Sequence, residues 1–94
     1  MENTSNMMGF ALNRTTHMPT DAEWQDRVKG LLKAELKKKG VGYRDLADKL
    51  TAMGIPETER NISNKLSRGS FTAVFFVQCL IAIGVHTVRL HEAD

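Results

Sequence analysis

The sequence predicts an all-α domain of four helices followed by a short C-terminal strand. Three observations carry that expectation. Apolar residues return at helical spacing in three separate stretches between Trp24 and Leu66. Each stretch ends on a glycine, Gly40, Gly54 or Gly69, the residue that most readily takes left-handed backbone past a helix end. A fourth stretch, Ala73 to Ile83, is almost wholly apolar and stops at Gly84. Ninety-four residues, 41% of them hydrophobic, suffice for one small domain and not for two. That domain is expected over residues 19–90, with tails at 1–18 and 91–94.

Residues 1–18 mix Asn, Thr, Ser, Met and Gly without a sustained period, so they read as a disordered tail. Order is expected to start at Thr20, which stands three residues before Glu23 in the spacing of a capping box. Trp24, Val28, Leu31, Leu32 and Leu36 then form the apolar stripe of a first helix. Lys37, Lys38 and Lys39 close it, because cations suit the negative end of the helix dipole. Tyr43, Leu46, Ala47, Leu50 and Met53 repeat the period in a second helix. Ala47, small and in mid-stripe, is the expected point of close approach to the third.

The third helix is expected over residues 58–67, with Thr58 as its cap and Ile62 and Leu66 as its two buried anchors. Its remaining residues are polar. Thr72 caps the fourth helix, whose apolar surface is too extensive for three neighbours to cover, so part of it is expected to meet a second copy of the chain. Val85-His86-Thr87-Val88-Arg89-Leu90 alternates in character and reads as a strand, which needs a partner strand from that copy. The expected dimer contacts are Phe76, Val85, Thr87, Val88 and Leu90.

Several function classes are disfavoured. Cys79 is the only cysteine, so paired-cysteine zinc motifs and internal disulfides are excluded, and it reads as a buried, inert thiol. His17, His86 and His91 lie near the chain ends without ligand spacing, and no Gly-rich phosphate loop is present. The expectation is therefore a non-enzyme with no catalytic residue, no cofactor and no metal. No apolar run is long enough to cross a bilayer and no export signal is visible, which points to a cytoplasmic protein without a membrane partner.

Charge is unevenly spread. The chain carries a formal net charge of +2, yet Asp26 to Arg68 holds eleven Lys or Arg against six Asp or Glu, a net +5. A basic middle suits a phosphate backbone. Within it, the polar face of the third helix offers Arg60, Asn61, Ser63, Asn64, Lys65 and Arg68, side chains able to bond base edges or phosphates. Arg44 and Lys49 lie off the apolar stripe of the second helix and are further candidates for phosphate contact.

The runs Leu46-Ala47-Asp48-Lys49-Leu50 and Ile62-Ser63-Asn64-Lys65-Leu66-Ser67-Arg68-Gly69, with Phe71-Thr72 after them, resemble lambda-repressor-like helix-turn-helix domains of phage and bacterial regulators. Val28-Lys29-Gly30-Leu31-Leu32-Lys33-Ala34-Glu35-Leu36 and Thr58-Glu59-Arg60-Asn61 are similar to segments of a bacterial family of small uncharacterised proteins. The first resemblance implies base reading by Glu59, Arg60 and Asn64. It assigns Arg44, Lys49, Thr58, Asn61, Ser63, Lys65 and Arg68 to backbone or flanking contacts. It implies a transcriptional regulator acting as a homodimer on double-stranded DNA, its two recognition helices entering major grooves roughly 34 Å apart on a palindromic site. Relative to those domains the span from Ala47 to Ile62 is lengthened by several residues, which predicts an extra turn on the second helix. The competing expectation is an antitoxin-like or adaptor module that keeps the fold, binds an unidentified protein and does not read DNA.

Overall fold

The computed structural model describes residues 18–90, which form four α-helices. They are α1 (Asp21–Lys39), α2 (Tyr43–Ala52), α3 (Glu59–Arg68) and α4 (Ala73–Ala82). Of the expected tails, Met1 to His17 and His91 to Asp94 lie outside the described residues, and Met18 is exposed.

Local chemistry sets the helix ends. The Thr20 side chain accepts from the Glu23 backbone N–H while the Glu23 carboxylate accepts from the Thr20 N–H at 2.8 Å, so the expected capping box starts α1. Thr58 accepts from the Asn61 N–H at 3.1 Å and Thr72 from the Phe75 N–H at 3.0 Å, which starts α3 and α4 in the same way. Gly40 and Gly69 end α1 and α3 at φ values of 67° and 69°, backbone that other residues adopt only with strain. At Gly69 a side chain would be strained on two counts, since a Cβ would also stand a tight 3.2 Å from the Gln25 carbonyl oxygen of α1.

One core joins the four helices. It comprises Leu32 and Leu36 from α1, Leu46, Ala47 and Leu50 from α2, Ile62 and Leu66 from α3, Phe75, Cys79 and Leu80 from α4, and Ile83 beyond it. α2 packs against α3 and α4, and α1 packs against α4. Ala47 is buried, as expected of a residue at a close approach, and Tyr43 leans on the core half-buried. Cys79 is fully buried, and burial is the main cause that pushes its thiol up to about 12, with the nearby Glu57 adding to it and Lys65 opposing.

Two expectations need correction. The strand at Val85–Leu90 does not form, and the described residues contain no strand. Val85 and Val88, three apart, are the residues that lean on the core, while His86, Thr87, Arg89 and Leu90 are exposed. Strand side chains alternate with a period of two, and a lone strand has no ladder to satisfy its backbone. Trp24 was expected in the buried stripe of α1, yet it is 49% exposed with Arg27 stacked 5.2 Å over its ring. The apolar core reaches only the C-terminal half of this 19-residue helix. The second helix ends at Ala52, and Met53 to Thr58 cross to α3 as a connection. As expected, the other three helices do not cover α4 all round, and Val74, Val77 and Ile81 stay exposed.

Candidate nucleic-acid interface

α3 is organised by Ile62 and Leu66, which are 0% and 1% exposed and hold the helix against the core. A helix turns about 100° per residue, so those two anchors fix where every other side chain of α3 points. Arg60 and Asn64 fall about 40° apart on the side opposite the anchors, and Arg68 continues the same row one turn further on. All three are exposed, and none of their side chains has a hydrogen bond or ion pair to another described residue. The outward row therefore presents two guanidinium groups and one amide, with no carboxylate among them.

The other candidates separate into groups. Asn61, Ser63 and Ser67 are exposed on the flanks of that row. Thr58 is exposed but spends its hydroxyl oxygen on the cap. Glu59, expected among the base readers, is exposed but lies about 140° round from Asn64 on helical geometry, off the outward row. Its carboxylate is thus aimed away from where it would repel a phosphate. Arg44 and Lys49 are both exposed on α2, with Asp45 and Asp48 exposed beside them.

Lys65 behaves differently from every other cation of α3. It lies only about 60° round from Ile62, on the inner flank of the helix. Its Nζ donates to Glu57 Oε2 at 2.5 Å and stands 4.4 Å over the Phe75 ring. The Glu57 side chain is only 6% exposed, and its second oxygen, Oε1, is buried without a hydrogen-bond partner. Removing an ion from water is costly, and Lys65 is the group that offsets that cost for Glu57. Lys65 is thereby engaged in holding the entry of α3 to α4, instead of standing free for a phosphate as expected.

That contact was missed in the sequence. The available signal was the helical position of Lys65 beside Ile62, where a lysine with no counter-charge would be poorly solvated. Beyond the pair, Lys65 and Arg68 line a shallow cleft of about 220 Å³ with Ser70, Phe71, Thr72 and Phe75, at the corner between α3 and α4.

The residues expected at a dimer contact differ in exposure. Phe76 is half-buried, stacked 6.3 Å from Phe71 and packed on the core, and Val85 and Val88 are likewise turned inward. Thr87 and Leu90 remain exposed. The exposed apolar residues of α4 are instead Val74, Val77 and Ile81. No periodicity marks which side of an all-apolar helix is uncovered, so the sequence held no signal for that choice.

Among the described residues no group of three His, Cys, Asp or Glu could hold a metal ion, and no helix is long and apolar enough to cross a membrane. No curated protein and no solved structure matches the chain. A family model does match residues 24–88, which takes in α2, α3 and α4 whole and α1 from its first turn onward. The likeness to a small uncharacterised family thus has independent support, and the chain belongs to the family described as Domain of unknown function (DUF6471).

Proposed function

We propose that this protein is a sequence-specific double-stranded DNA-binding regulator with a lambda-repressor-like helix-turn-helix, and that α3 is its recognition helix. The observation that carries the proposal is the outward row Arg60, Asn64 and Arg68, exposed and unengaged on a helix whose opposite side is anchored by Ile62 and Leu66. Arginine forks onto the O6 and N7 of guanine, and asparagine pairs with the N6 and N7 of adenine, both in the major groove. Arg60 and Asn64, one helical turn apart, are the base readers. Glu59 is left out of that role in this reading, because helical geometry puts it about 140° round from Asn64.

Arg68, at the end of the row, is assigned to a backbone phosphate, together with Arg44 and Lys49 on α2. Asn61 and Ser63 remain flanking contacts. The phosphate contacts orient the helix and supply most of the salt-dependent affinity, while the two base readers supply the discrimination. Lys65 positions α3 from within and makes no direct contact with DNA.

Selection from random duplex DNA with the purified full chain tests this directly. Enrichment of a defined site, lost or broadened when Asn64→Ala replaces the native chain, is the expected result. An adaptor that reads no DNA draws its support from the exposed aliphatic residues of α4. Absence of any enriched site, with no salt-sensitive binding, would favour that second reading.

A further inference from the structure

From its uncovered face we infer that α4 is a self-association surface, on which Val74, Val77 and Ile81 pack against the same residues of a second copy of this chain. These three side chains are 65%, 50% and 60% exposed. They recur three and four residues apart, so they form one continuous stripe along α4, the spacing by which two helices interlock. Phe75, Cys79 and Leu80 hold the opposite side of the helix in the core. The stripe is thus presented rigidly, by a helix whose other side is fixed.

Charge argues for a second copy as the occupant. A two-fold contact sets each residue near its own counterpart, so a charged residue on the axis would meet a like charge. α4 from Ala73 to Ala82 carries no acidic and no basic side chain, and its one polar residue besides the backbone is Gln78, which is half-buried. Among the four helices α4 alone is free of charge, whereas α1, α2 and α3 each carry both signs. An uncharged aliphatic stripe is complementary to itself without any change of sequence.

Size sets the strength. Three exposed aliphatic side chains amount to on the order of a few hundred Å², comparable with the largest apolar patch a monomer commonly exposes. That is below the roughly 800 Å² per partner of a standard stable interface. Association is therefore weak in free solution and is reinforced when two subunits lie on one duplex. The purpose of the pairing rests on the DNA-binding reading, since one α3 places only two base-reading side chains and a second copy would double them across a palindrome.

Sedimentation velocity of the full chain without DNA, over a series of concentrations, tests the inference. The average mass is expected to rise toward that of a dimer. Val77→Glu and Ile81→Glu are each expected to raise the dissociation constant by about tenfold or more, with helical circular dichroism unchanged because both positions are half exposed or more. A second measurement does not depend on those variants. Oxidising the Val77→Cys chain should trap a disulfide-linked dimer, while the native chain traps none because Cys79 is buried. A native chain that stays monomeric throughout, or a dimer that both glutamate variants leave intact, would overturn the assignment. A monomer that still selects a single asymmetric site would overturn the self-association while leaving the base-reading helix in place.

Discussion

α3 and α4 are alike in construction and opposite in what they show to solvent. Each is ten residues long, each starts on a threonine that caps its first turn, and each is fastened by fully or nearly fully buried side chains on one face. The free face of α3 is Arg60, Asn64 and Arg68, whereas that of α4 is Val74, Val77 and Ile81. The first suits a partner that offers phosphates and base edges. The second suits a partner that offers aliphatic carbon. The lesson is that shared inward chemistry builds the fold, while the outward residues decide what kind of surface each helix offers.

The contrast between inner and outer faces can be broken most severely from within. Ile62→Ala is expected to cost about 2 to 5 kcal/mol, because a fully buried side chain leaves a cavity, while Val77→Ala on the exposed stripe should stay within about 0.5 kcal/mol. Chemical denaturation of both variants measures the difference. Lys65→Ala comes next, at about 1 to 3 kcal/mol, because it leaves the Glu57 carboxylate buried without its cation. Adding Glu57→Gln should recover part of that loss. A Lys65→Ala chain of native stability would return this lysine to the set of free phosphate contacts. The smallest effects are at the caps, where Thr58→Ala and Thr72→Ala are each expected to cost about 1 kcal/mol in thermal or denaturant unfolding.

The sequence revealed those features that depend on neighbours along the chain. Capping by Thr20, Thr58 and Thr72 and termination at Gly40 and Gly69 involve residues within a few positions of one another, and all are legible by spacing. The anchors Ile62 and Leu66 were legible for the same reason, as was the outward placement of Arg60 and Asn64. What escaped was set by packing. Glu57 and Lys65 are eight residues apart, outside the three- or four-residue spacing of helical neighbours, and Lys65 also stands over the Phe75 ring of α4. Trp24 has the right period for burial but sits on the part of α1 that extends past the core. Val85 to Leu90 has strand composition, yet composition supplies no second strand to pair with.

The most direct test of the role given to α3 is binding, across a range of salt concentrations, to a selected duplex and to a scrambled duplex of equal length. The native chain should prefer the selected site by about 10³ or more. Asn64→Ala should reduce that preference by about 1 to 3 kcal/mol without changing the salt slope, and Arg68→Ala should lower the slope by about one while leaving the preference intact. Equal affinity of the native chain for both duplexes at every salt concentration would contradict the assignment of Arg60 and Asn64 as base readers.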